Sequence, residues 1–196
     1  PDLLTYGATK ALLRTLPEEY QKLAADIPHA NPPVLVGQVL QNLLAERVSI
    51  KNLELIIEAL IESASMSKNL TLITEHVRRK LAAQICASLE SEDGYLHVIV
   101  LSPAWETEFA NTIRIQGDEV SCPNLMPKRV EEFVIAAQAE IQRFAARDEW
   151  PAILVRADHR AVIRSMLERV SSMNPIISQA ELHRKVKLRS VGMIGG

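Results

Sequence analysis

Asp158, His159 and Cys122 are the residues of this chain whose types could support turnover. A carboxylate beside an imidazole is the pairing of a general base with the group that orients it, and a thiol can act as nucleophile. Their spacing supports a plainer reading. Asp158 opens a helical stretch and is expected to cap it, with His159 in the first turn. Cys122 precedes Pro123, has no histidine partner in sequence, and reads as structural. The five histidines are scattered. Neither His76, which stands beside Arg78 and Arg79, nor His159 has a second ligand at i+3 or i+4, so a metal site is not expected. No G-x-G-x-x-G, G-x-x-x-x-G-K-[ST] or G-x-S-x-G pattern occurs, and the seven glycines cluster only at Gly195-Gly196. No cofactor is expected.

Two charged groups remain. Residues 183–189, HRKVKLR, form the one basic patch. Nucleic-acid binding usually adds aromatic platforms or a recognition helix, and this patch has neither. Its plainer role is to guard a strand edge against pairing with other chains. A hidden winged-helix DNA reader is the lower alternative. Glu46, Arg47, Glu75, Arg78 and Arg79 lie on helical stretches. They are either a solvated face, where each ion pair is worth little, or contacts between subunits.

The elements that must position these residues follow from periodicity. Apolar residues at Val36, Val39, Leu40, Leu43 and Leu44, then at Leu53, Ile56, Ile57, Leu60, Ile61 and Ala64, predict two amphipathic helices across residues 39–64. Ser49 is the expected N-cap of the second. Upstream, Leu12, Leu13, Leu16, Tyr20, Leu23, Ala24 and Ile27 keep one apolar face, interrupted by Pro17, expected at N1 of a new helix. Residues 28–33, PHANPP, read as a loop. A long helix is predicted over 69–89, with Leu70, Ile73, Val77, Leu81 and Ile85 inward and Glu75 pairing with Arg78 or Arg79 on its outer side.

The pattern changes at residues 91–94, SEDG. A strand buried on both faces is predicted over 95–101, then a helix capped by Ser102 with Pro103 at N1, a turn at 116–118 and a short strand at 119–122. Val130, Phe133, Val134, Ala137, Ile141 and Phe144 mark another helix. A strand at 152–156, a helix with Val162, Ile163, Met166, Leu167 and Val170 inward, and a strand at 175–177 predict a βαβ unit. Ser178 and Glu181 have the spacing of a capping box. The last strand, 186–194, is expected to alternate Val186 and Leu188 against Lys185, Lys187 and Arg189. The expected class is α+β: an all-helical subdomain, 1–90, then a small α/β subdomain, 91–196, with a mixed sheet containing the βαβ unit.

Composition is that of an ordinary globular protein. The 196 residues are 47% apolar and carry a formal charge of −2. The pI near 6.3 gives no reason to expect nucleic acid or an anionic membrane as partner. Two cysteines make a disulfide a poor expectation and favour a reducing cytosol. No apolar run reaches the ~18 residues of a membrane span. No signal peptide is visible, and a start at Pro1 suggests a piece of a longer protein.

The residue strings carry a resemblance. VLQNLLAERVSI at 39–50 resembles the signature of the export-gate family of bacterial type III secretion, which serves flagella and injectisomes. EEYQKLAADI at 18–27, ITEHVRRKLAAQIC at 73–86, GYLHVIVLSPAWETEF at 94–109 and ISQAELHRKVKLRSVGMI at 177–194 resemble successive segments of the same family, with the flagellar branch favoured. Departures from the family pattern are Lys51-Asn52, Ala180 and Arg184.

The resemblance implies the last two of four cytoplasmic subdomains of an inner-membrane protein, on the cytoplasmic face, with the membrane touched only through an N-terminal part. It implies no enzymatic activity and no cofactor. The implied partners are further copies in a ring, nonameric in the family, together with export chaperones, secreted substrates and other export-apparatus proteins, including the associated ATPase complex. Nucleic acid is not among them. The helical part is implied to make the main ring contacts, with Glu46, Arg47, Glu75, Arg78 and Arg79 as possible subunit-interface residues, and the isolated chain is expected to be monomeric or weakly associating. The competing readings are an injectisome homologue for effector secretion, a small α/β enzyme using Asp158, His159 and Cys122, and a nucleic-acid module using residues 183–189.

Overall fold

The structure, a computed structural model, describes residues 4–195; residues 1–3 and Gly196 lie outside the description. The chain forms two units, Pro1–Leu81 and Ala82–Gly196.

The first unit is helical, with α1 (Tyr6–Arg14), α2 (Glu18–Ala25), α3 (Pro32–Ala45), α4 (Leu53–Met66) and α5 (Leu70–Lys80). Pro17 occupies the N-cap of α2, one place before its expected position. The 28–33 loop ends early, because Pro32 and Pro33 supply the first positions of α3, where a missing N–H costs nothing. Val36, Val39, Leu40 and Leu43 of α3 and Ile56, Ile57 and Leu60 of α4 are all fully buried. Each such side chain contributes about 2 kcal/mol of burial free energy. Leu44 and Leu23, expected inward, are exposed. Gly37 lets α1 approach α3, since a Cβ there would stand 2.8 Å from the Thr9 hydroxyl oxygen.

Two expectations fail locally. Ser49 is not the cap of α4. The helix begins three residues later behind Asn52, and Ser49 Oγ instead accepts from the Lys51 N–H at 3.3 Å in a short side-chain turn. The helix expected over 69–89 is two helices. Leu81 leaves helical geometry (φ −92°, ψ 11°), closing α5, and α6 runs Ala82–Leu89. α6 falls in the second unit, upstream of the boundary drawn near Ser91.

The second unit holds a four-stranded sheet in the order β5-β4-β1-β6, from β1 (Leu96–Leu101), β4 (Ala152–Val155), β5 (Ile176–Ser178) and β6 (Leu188–Ile194). All its pairings are parallel. Antiparallel pairing occurs in a separate hairpin, β2 (Arg114–Gln116) with β3 (Glu119–Ser121), so both strand senses are present in different sheets. β2 is a strand that the apolar pattern did not announce. α7 (Pro103–Thr112), α8 (Pro127–Ala145) and α9 (Arg160–Leu167) complete the unit. The β4–α9–β5 segment is the expected βαβ unit.

Ile99 and Leu101 of β1 enter a core with Phe109, Phe133, Phe144 and Ile163. Leu96 and Val98, on the opposite face, are equally buried, so the strand is covered on both faces as expected. Ser102 caps α7 as expected, its hydroxyl accepting from the Trp105 N–H. Asp158 does not cap α9: residues Ala157–His159 form a 3₁₀ turn instead, with no side-chain cap. β6 lies at the sheet edge as expected, but the Val186/Leu188 alternation is lost, Leu188 being 38% exposed.

Candidate functional site

The five charged residues singled out on the helical unit separate into two groups. Arg78 is 2% exposed and Glu75 is 9%. Arg78 Nη1 lies 3.8 Å from Glu46 Oε2, and Arg78 Nε lies 3.8 Å from Glu75 Oε2. The ion pair expected on the outer side of the helix is therefore inside. It belongs to a polar seam between α3 and α5, continued by Asn42 donating to the Thr74 hydroxyl at 3.1 Å. Asn42 and Glu46 are spaced i, i+4, as are Thr74 and Arg78, so the seam runs one turn along both helices. A guanidinium at this depth needs carboxylate partners to offset its lost hydration.

Arg47 and Arg79 are exposed. Arg47 has φ 60°, in the left-handed region. Its N–H reaches Leu44 O at 3.0 Å while the Val48 N–H reaches Leu43 O at 2.9 Å, which is a Schellman termination of α3. Glycine usually fills this position, because an L side chain there costs roughly 1–2 kcal/mol. A long cation held outward at a strained position is a pointer to function.

In the second unit, His159 and Cys122 both lie where burial disfavours their charged forms. His159 is buried with its ring 6.3 Å from that of Phe109. Burial pushes its imidazole below the ordinary value, Arg156 adds to this, and Asp158 opposes it. Burial raises the Cys122 thiol, which keeps it protonated and poorly nucleophilic. Both cysteines are free.

His159 sets a pH prediction. Its unfolded form takes a proton near pH 6.5, and its folded form only at lower pH. Between those values the unfolded state binds more protons, so stability falls as pH drops through that window, by at most about 1.4 kcal/mol per pH unit. Urea unfolding of wild type and His159→Gln across the window should give a shallower pH slope for the variant. Equal slopes would show that His159 is not the group responsible.

Open parallel sheets bind ligands outside the carboxyl ends of their strands, where the chain order reverses. Here the order runs from β1 to β4 to β5 and returns to β6 beside β1, so that point lies between Ser102 and Gly195. It is filled. Ser102 N–H donates to Ile194 O at 3.0 Å, and a Cβ on Gly195 (φ +77°) would stand 2.5 Å from the Trp105 indole. Arg129 covers the Trp105 ring at 4.4 Å and pairs with Glu108 at 3.1 Å. Among the described residues, no cluster of three or more His, Cys, Asp or Glu side chains could hold a metal ion, and no helix is long and apolar enough to cross a membrane.

Fold and site together define an α+β module: a helical unit with a buried charged seam and an outward arginine, and a parallel-sheet unit whose ligand position is plugged. The FHIPEP family model matches residues 1–187, and the chain belongs to the FHIPEP family. It is 37% identical over 194 residues to the flagellar biosynthesis protein FlhA of Caulobacter vibrioides, an alignment covering 98% of this chain and 28% of that protein. The chain thus spans under a third of the length of that relative. Nonameric EPEC SctV-C has the same fold, with a TM-score of 0.79 at 23% identity over 97% of this chain and 57% of that one. So does CdsV in the Chlamydia pneumoniae CdsV and CdsO complex, with a TM-score of 0.82 at 24% identity over 97% and 56%. The resemblance to the export-gate family holds, and the curated relative at 37% identity is a flagellar one.

Proposed function

We propose that this chain is the ring-forming, cargo-docking part of a bacterial type III export gate of the flagellar kind, working by binding and subunit geometry without catalysis. The observation that carries the reading is the family match over residues 1–187. Trp105 in the sheet's ligand position supports the non-catalytic part, since the crevice an α/β enzyme would use is occupied by the protein itself. The nonameric state named for SctV-C and the complex named for CdsV with CdsO support self-assembly and partner binding as the mode of action. In this reading the protein is held at the inner membrane with this part in the cytoplasm. Export chaperones, their substrates and the associated ATPase complex are its partners. The helical residues up to 90 make the ring contacts, and 91–196 form the second subdomain.

Within the helical part, Arg47 and Arg79 are the proposed interface residues. Glu46, Glu75 and Arg78 instead hold the surface that presents them. The test is complementation of a gene deletion with the full-length protein. The deletion should retain flagellar proteins in the cell. Arg47→Glu with Arg79→Glu should restore neither export nor ring assembly, while leaving the circular dichroism of this chain unchanged. Arg47→Gly separates the two roles: it should stabilise the isolated chain by about 1 kcal/mol through relief of the left-handed strain, yet weaken assembly. Normal export and assembly in the double variant would remove both arginines from the interface. Export surviving the deletion would remove the function.

A further inference from the structure

Residues 182–196 contain no Asp or Glu, and five of them are His, Arg or Lys. Arg189 is committed within the unit, donating to Asp93 Oδ2 at 2.9 Å and lying over the Tyr95 ring at 4.1 Å. Lys185 and Lys187 are exposed, and among the described residues no ion pair holds either. Both line a cavity of about 310 Å³, with His183 beside them. That is near the lower end of ligand pockets, about 300–1,000 Å³.

Part of the lining is apolar: Ala87 and the buried Cys86 of α6, with Val186 between the two lysines. Glu90 is the acidic residue on the lining. The turn that carries the lysines is pinned. His183 N–H donates to Cys86 Sγ at 3.4 Å, Lys185 N–H donates to His183 Nδ1 at 3.3 Å, and Val186 N–H donates to His183 O at 2.9 Å. A fixed turn removes part of the ordering cost of binding.

We propose that this groove binds a short acidic peptide segment of a protein partner, one apolar side chain seated against Ala87, Cys86 and Val186 and its carboxylates met by Lys185 and Lys187. Charge complementarity selects the occupant: two outward ammonium groups flank an apolar wall, so the ligand must be anionic and must carry a side chain worth burying. No Phe, Tyr or Trp lines the cavity to give a base a broad stacking platform, the His183 ring being tied by its Nδ1 to the Lys185 N–H, and the chain as a whole is acidic. The inference stands on the groove alone and does not depend on the export reading.

Fluorescence anisotropy on the full chain tests it, using a short fluorescein-labelled peptide with one leucine flanked by glutamates. Binding should weaken with salt and fall by roughly tenfold or more in Lys185→Glu with Lys187→Glu. Ala87→Trp, a change at an exposed position that fills the groove, should abolish binding without altering circular dichroism. Lys128→Glu, an exposed lysine on α8, should leave it intact. Equal binding by the double variant overturns the proposal. So does equal binding of a peptide with serine in place of leucine, since that is charge attraction alone. Tighter binding of a single-stranded DNA oligonucleotide, displacing the peptide, also overturns it in favour of the nucleic-acid alternative.

Discussion

Arg78→Ala lowers the stability of the helical unit by about 3–5 kcal/mol, the range for breaking a buried ion pair from one side. The loss comes from what is left behind. Glu46 and Glu75 both face Arg78, each with an oxygen 3.8 Å from its guanidinium. Without the cation, two carboxylates share a site that gives them little water. Urea unfolding followed by far-ultraviolet circular dichroism should show the midpoint moving down by roughly 1–3 M. Replacing all three residues with apolar side chains of similar size should recover much of that stability, because the desolvation cost disappears with the charges. A loss below about 1 kcal/mol for Arg78→Ala would place Arg78 among ordinary surface ion pairs. The result also matters for export experiments, since charge reversal at Arg78 should report folding and only reversal at Arg47 or Arg79 should report assembly.

What the sequence made legible follows from the range over which each signal acts. Helices α3 and α4 were readable because apolar spacing and burial are the same fact in each, seen at Val36, Val39, Leu40 and Leu43 and again at Ile56, Ile57 and Leu60. Ser102 and the Ser178/Glu181 capping box were readable because a side chain three residues from its backbone partner needs no tertiary help. Ser49 misled for the same reason: a local side-chain turn competes with a cap, and the chain used Asn52 to start the helix. The break at Leu81 has no Gly or Pro to announce it and keeps the apolar rhythm from Val77 to Ile85. β2 is fully exposed, so no burial pattern could reveal it.

The polar seam was the costliest omission. Glu75 and Arg78 read as the outer side of their helix because charged residues are mostly exposed. Burial of Thr74 and Glu75 beside the Ile73 and Val77 stripe means that α5 is covered on more than one face. The available signal was the match between Asn42/Glu46 at α3 and Thr74/Arg78 on α5, two polar pairs each spaced one helical turn. The strain at Arg47 had no signal at all in residue type, since the usual marker for that backbone is glycine.

Glu181→Ala should destabilise the α/β unit by about 3–5 kcal/mol, and Glu181→Gln by clearly less. Glu181 is 1% exposed and does two jobs. Its Oε1 accepts from the Ser178 N–H at 2.9 Å, closing the capping box at the end of β5. Its Oε2 lies 3.8 Å from Nε of Arg160, itself 3% exposed at the start of α9. Arg160 Nη1 also donates to Ile176 O at 2.9 Å, so one guanidinium ties α9 to β5 and to the turn beyond it. Glutamine can keep the bond to Ser178 and surrenders only the charge, whereas alanine leaves both the Ser178 N–H and the Arg160 cation without that carboxylate. The ordering wild type, then Gln, then Ala in urea midpoint tests the division of labour. If Gln matched wild type, the ion pair would contribute nothing and the cap would carry the whole effect. If Gln fell as far as Ala, the charge alone would hold the turn that leads into residues 183–189, and the groove there should lose its peptide affinity in both variants.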